Sequence, residues 1–95
     1  MGKFRVKSAL AMPERAAFVL LGTIVEEPIA AGMFVRVPLN AEANYVVQVQ
    51  SLELASGPGR TDVALCVQAD DDEQEFWRAL GVEGEVLEVS QTGPE

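Results

Sequence analysis

Charged and apolar residues alternate from Lys3 to Ser8, in the order Lys-Phe-Arg-Val-Lys-Ser. A period of two belongs to a β-strand, whose successive side chains point to opposite faces. The segment therefore reads as a half-buried strand with Lys3, Arg5 and Lys7 on its wet face, ended or bent at Pro13. Phe18 to Val25 is apolar in both phases apart from Gly22 and Thr23. Its length, its β-branched residues and its interior glycine favour a strand over a helix. A glycine inside a strand marks a bulge or the sharp bend of a barrel corner. Glu26-Glu27-Pro28 and Ala31-Gly32 read as turns.

Met33 to Val37 is a third strand, stopped at Pro38, and Tyr45 to Leu54 a fourth. The fourth changes phase midway: Val47 and Val49 share one face, whereas Leu52 and Leu54 have the opposite parity. A β-bulge shifts the phase by one residue, which places one near Gln50-Ser51. Ser56-Gly57-Pro58-Gly59 is a turn, and Thr61 to Ala69 is a fifth strand with Val63, Leu65 and Val67 on one face. The acidic stretch from Asp70 to Glu75 then leads into Phe76-Trp77-Arg78-Ala79-Leu80-Gly81. An Asp N-cap, early acids that complement the helix dipole and a terminal Gly81 predict a short helix. Phe76 and Leu80, four apart, are expected to share its buried stripe. Glu85 to Ser90 is the sixth strand. The pattern predicts an all-β fold: a small six-stranded antiparallel β-barrel, closed or partly open, with one short helix before the last strand. Residues 1–90 form one domain and 91–95 a flexible tail.

Composition narrows the function. A 95-residue domain buries only about 60–65% of its unfolded surface, so its core must be well filled, and 48% of its residues are hydrophobic. No apolar run reaches the roughly 18–20 residues that span a bilayer, and the N-terminus has no apolar signal core. A cytoplasmic protein with no membrane partner is expected. Cys66 is the single cysteine and histidine is absent. Ser-His-Asp and Cys-His catalysis within the chain are excluded, and a zinc site lacks its ligands. The chain reads as non-enzymatic, without cofactor or metal. The net charge is −8, unevenly spread. Residues 1–36 carry five cations against three acids, whereas residues 61–95 carry ten acids against Arg78 alone. Such a field repels a phosphate backbone, so DNA is not an expected partner.

The segment from Gly22 to Val37 reads Gly-Thr-Ile-Val-Glu-Glu-Pro-Ile-Ala-Ala-Gly-Met-Phe-Val-Arg-Val. It resembles the central hairpin of the β-barrel second domain of elongation factor Tu and other translational GTPases, with Gly22, Ile24, Ile29, Gly32, Val35 and Val37 at the matching positions. Val49-Gln50-Ser51-Leu52-Glu53 resembles the strand that follows, and Gly84-Glu85-Val86-Leu87 the closing strand. The resemblance covers about residues 4–90 and implies a stand-alone barrel of this type, with Gly22, Gly32 and Gly84 as structural glycines. It also implies contact with tRNA or the ribosome, as the family's barrel often makes. Departures fall at Glu27, where the family has a turn glycine, at Ala16-Ala17, and at Arg60 to Ala64, which lacks the family's glycines. No phosphate-binding Gly-x-x-x-x-Gly-Lys-Ser/Thr loop is present, so the chain is not the GTPase itself.

The candidate residues each have two readings. Lys3, Arg5 and Lys7, with Arg15 and Arg36, are the candidate contacts for an anion or RNA; otherwise they are solvated, or paired across the sheet with acids such as Glu85 or Glu88. Asp70 to Glu75 is either a divalent-cation site or an acidic helix start, and it lacks the spacing of an EF-hand loop. Cys66, between Leu65 and Val67, reads as a small core or barrel-wall residue. Trp77 is either a plug at one barrel end or an exposed anchor for a partner, and Phe34 and Tyr45 share that choice. Glu26, Glu27 and Glu42 do not converge in sequence into a carboxylate pair. The leading expectation is an interaction module that binds a protein partner or itself. A translation-related RNA binder is the alternative, and a small-ligand pocket at the barrel mouth a weaker one.

Overall fold

A computed structural model describes residues 2–39, 42–57 and 60–91 of the chain, with the side chains of 55–61 set aside. The alternating N-terminal segment forms β1, Gly2–Met12, buried at Phe4 and Val6 and exposed at Lys3, Arg5 and Lys7. A single 3₁₀ turn, Pro13–Arg15, closes on Ala16 in the left-handed region at φ 48° and leads into β2, Ala17–Glu26. After the turn that contains the cis peptide Glu27–Pro28 come β3, Phe34–Pro38, and β4, Asn44–Gly57. β5, Arg60–Gln68, precedes the helix α1, Asp71–Leu80, and β6, Val86–Ser90, ends the barrel. Pro58 and Gly59 of the expected β4–β5 turn, and residues 92–95 of the expected tail, lie outside the described residues.

The strands close in the order β1-β2-β5-β4-β3-β6, with β6 back against β1, and every pairing is antiparallel. Closure leaves one face of each strand inside. Phe4, Leu20, Val35, Val49, Leu65 and Leu87, one from each strand, meet in a single buried cluster. Three register shifts among the described residues let strands of this length bend round so small a barrel, one of them in β2, where Val25 is extra between Lys3↔Glu26 and Phe4↔Ile24. In β4 the register passes from Val49↔Val67 to Ser51↔Cys66, so Gln50 is the extra residue, at the position the phase change indicates. In β1 it passes from Val6↔Gly22 to Ser8↔Leu21, so Lys7 is extra. Gly22 lies at this corner, and a Cβ there would overlap the Arg5 carbonyl oxygen. Only glycine admits the approach. Gly32 and Gly84 instead hold positive φ, 92° and 87°, and leave open space around their Cα.

Helix α1 is set by its N-terminus. The Asp70 carboxylate accepts from the Glu73 backbone N–H (2.9 Å), and a Glu73 oxygen accepts from the Asp70 N–H (3.2 Å), a reciprocal capping box. Gly81 ends the helix in the left-handed region at φ 59°. Its inward face differs from the expected Phe76–Leu80 stripe. Trp77, 1% exposed, and buried Gln74 face the barrel, while Phe76 is 39% exposed. The wide indole sets the phase of the helix, so burial runs through positions three apart, Gln74, Trp77 and half-buried Leu80. Phe76 is left beside Tyr45, edge-on at 4.8 Å between ring centroids. Trp77 thus stoppers one end of the barrel, stacked on Phe18 at 5.3 Å with 11° between ring planes.

Candidate functional site

The candidate cations are dispersed by the fold. On the outer wall the register runs Glu26↔Lys3↔Glu88↔Arg36 across β2, β1, β6 and β3. Acids and bases alternate along this row, and the Lys3 ammonium lies 3.7 Å from Glu26. The acid that Lys3 pairs with is thus Glu26, while Glu88 sits between Lys3 and Arg36 in the sheet. Lys7, pushed out of register by its bulge, reaches across to Asp62 on β5 at 2.9 Å. Arg15 belongs to the 3₁₀ turn and not to the row. Arg5 stays exposed between Thr23 and Val86. The five residues therefore form no continuous basic strip.

The three candidate anchors also separate. Phe34 shares the outer wall with Arg36, opposite Gln48 and Ser90, and is half-buried. Trp77 is withdrawn into the core, which gives it the role of the plug and removes it from direct contact with a partner. Tyr45 is half-buried beneath α1, its ring edge-on to both Phe76 and Trp77. The Tyr45 hydroxyl donates to a Glu73 carboxylate oxygen at 3.2 Å. Burial first, and then the charge of Glu73 and this hydrogen bond, push the Tyr45 phenol up to about 12. Trp77 Nε1 is buried and has no hydrogen-bond partner among the described residues.

Cys66 is buried on the outside of the wall and not in the barrel interior. It packs with Val19, Ala64 and partly buried Met12 and Leu21 in a separate cluster. Next to it, across the β1–β2 ladder, Leu10 lies opposite Val19 and is 61% exposed. Among the described residues no group of three or more His, Cys, Asp and Glu converges as metal ligands would. No described helix is long and apolar enough to cross a membrane.

A feature that the sequence pattern does not announce lies where β4 and β5 part. β4 pairs with β3 from Asn44 to Gln48, but its ladder with β5 starts only at Val49↔Val67. The chain turns away after Gln68 into α1, and a cleft of about 270 Å³ opens in the gap. Val46, Val47, Gln48, Gln50, Gln68 and Glu73 line it. The Gln50 amide donates to Gln68 at 3.3 Å across the cleft, and the Gln48 amide donates to the Gly32 carbonyl at 3.1 Å. Uncharged amides with both donors and acceptors surround a single carboxylate, Glu73, which the capping box and Tyr45 hold in place. Such a lining can hydrogen-bond a main chain and attract a cation. The only sequence signals near it were the bulge at Gln50 and the acidic helix start. Comparison of the chain with protein-family models, curated proteins and solved structures finds no match.

Proposed function

We propose that this barrel is a non-catalytic interaction module, of the translation-factor second-domain type, that binds a protein partner through the cleft between β4 and the start of α1. The observation that carries this reading is the cleft, where β4 runs past the start of its β5 ladder and its backbone lies between amide side chains and the Glu73 carboxylate. The absence of histidine and the burial of the lone Cys66 fit a role in binding more readily than one in turnover. RNA binding has less support, because acids interrupt the candidate cations and two of those cations are engaged by Glu26 and Asp62.

The test is capture of partners by the tagged full-length chain, compared with its Gln50→Lys and Arg5→Glu variants. Gln50 and Arg5 are both exposed, so neither change disturbs the core. Near-stoichiometric recovery of a protein that is lost with Gln50→Lys and retained with Arg5→Glu is expected. Recovery that survives Gln50→Lys, but is lost with Arg5→Glu and on ribonuclease treatment, would replace this reading with RNA binding. A chain that stays monomeric and recovers nothing above the tag alone would remove the reading.

A further inference from the structure

The geometry points to the open flank of β4 as the docking site for an extended, Lys- or Arg-bearing segment of a protein partner, added to the wall as an extra strand. This assignment rests on the reading of the barrel as an interaction module and names the occupant of its cleft.

Main-chain direction comes first. The Val49 N–H donates to the Met33 carbonyl and the Val49 carbonyl accepts from the Gly32 N–H, both at 2.8 Å. Val49 thus spends its backbone groups on the β3 side. Alternate residues of a strand turn their groups to alternate neighbours, so Val47 does likewise and Val46 and Gln48 aim theirs the other way. On that side the β5 ladder reaches only the Gln48 carbonyl, which the Val49↔Val67 pair places against the Gln68 N–H, and the Gln48 N–H and both Val46 groups lie beyond it. Unpaired strand edges are commonly guarded by lysine, proline or a bulge. Asn44-Tyr45-Val46-Val47-Gln48 contains no charge and no proline, and its bulge lies beyond it at Gln50. Five residues of strand span about 17 Å, enough to pair with a short extended peptide. Strand addition of this kind draws affinity from main-chain bonds and specificity from flanking side chains.

Charge selects the occupant. The lining contains no cation, Glu73 supplies a fixed carboxylate, and Asp70, Asp71 and Asp72 stand beside it at the start of α1. A basic segment is attracted there and an acidic one repelled. Pairing of this edge with the same edge of a second copy is disfavoured on the same ground, since it would bring two acidic helix starts together.

The experiment is a backbone-amide NMR titration of the full chain with a capped seven-residue peptide of alternating Val and Lys. Two control peptides accompany it, one with Glu for Lys and one N-methylated at alternate residues. Shifts centred on Val46, Gln48, Gln68 and Glu73 are expected, with at least tenfold weaker binding of both controls. Glu73→Gln, whose amide oxygen can still cap the Asp70 N–H, is expected to weaken binding severalfold. Val46→Pro removes an N–H that the β3 ladder does not use, and binding should vanish while the spectrum stays folded. If that variant does not fold, the N-methylated peptide tests the same bond from the other side. Shifts scattered over the acidic surface and equal for the N-methylated peptide, or no saturable binding at millimolar peptide, would overturn the assignment. If it fails while the chain still captures a protein, the module stands and its site lies elsewhere.

Discussion

Replacing Trp77 tests whether α1 is part of the barrel or merely rests on it. Trp77 is 1% exposed, stacks on Phe18 and meets Tyr45 edge-on at 5.5 Å. Truncation of a buried Trp to Ala costs about 3–5 kcal/mol through lost transfer energy and the cavity left behind. Two aromatic pairs, each worth about 0.5–1.5 kcal/mol beyond area, place this site toward the upper end. Since a domain of this size has roughly 5–15 kcal/mol in total, a loss of about 5 kcal/mol in Trp77→Ala would remove a third or more of its stability. For a chain of about 100 residues each kcal/mol shifts Tm by about 4–8 °C, so a fall of roughly 12–40 °C is expected. Trp77→Phe separates packing from polarity. Phe keeps a ring against Phe18 and removes an N–H that has no partner, and an unmet buried donor costs about 1–3 kcal/mol. That relief offsets part of the lost volume, so Trp77→Phe should cost less than half as much as Trp77→Ala. Urea and thermal unfolding followed by circular dichroism measure both. The wild-type emission should be blue-shifted and resist acrylamide quenching, and Trp77 is the sole tryptophan. A loss below about 1 kcal/mol for Trp77→Ala, or equal losses for the two variants, would refute the plug.

Other consequences are as direct. Gly22→Ala drives a methyl into the Arg5 carbonyl and should destabilise the barrel by at least about 2 kcal/mol, whereas Gly84→Ala, strained but sterically open, should cost less; denaturant midpoints decide. Asp70→Ala removes half of the capping box and should cost about 1 kcal/mol, measured the same way. Tyr45 is the only tyrosine, so absorbance at 295 nm reports its ionisation alone. Its pKa is raised on folding to about 12, so its contribution to stability is whole below about pH 10 and is lost as pH rises toward 12. Tyr45→Phe should abolish that part of the alkaline loss, and a tyrosine that titrates near 10 in the folded protein would contradict the burial and the Glu73 contact.

The barrel was legible because its signals are local. Alternation in Lys3 to Ser8, the phase change at Gln50 and the Asp70–Gly81 helix punctuation each act over a few residues, and each reappears in the structure. The helix face differs from the Phe76–Leu80 stripe, because a spacing of four identifies a stripe but cannot say which stripe a wider neighbour such as Trp77 will turn inward. Pro13 marks the bend, but the form it takes, a 3₁₀ turn closing on Ala16, is not written in the sequence, since alanine gives no sign of the left-handed conformation it adopts. The outer-wall neighbours of the cations depend on strand order. β6 lies between β1 and β3, so Glu88 separates Lys3 from Arg36, and nothing in the spacing of these residues reveals it. The cleft is less legible still: it exists because the β4–β5 ladder ends at Val49↔Val67 while β4 runs on along β3, a property of the assembled wall and not of any segment.

Amide hydrogen exchange of the unliganded chain measures the open flank of β4 without any partner. Val46 and Gln48 should exchange quickly and Val47 and Val49 slowly, an alternation of protection along one strand, because only the latter two donate into the β3 ladder. Equal strong protection at all four amides would mean that the edge is already paired and that no strand can be added there.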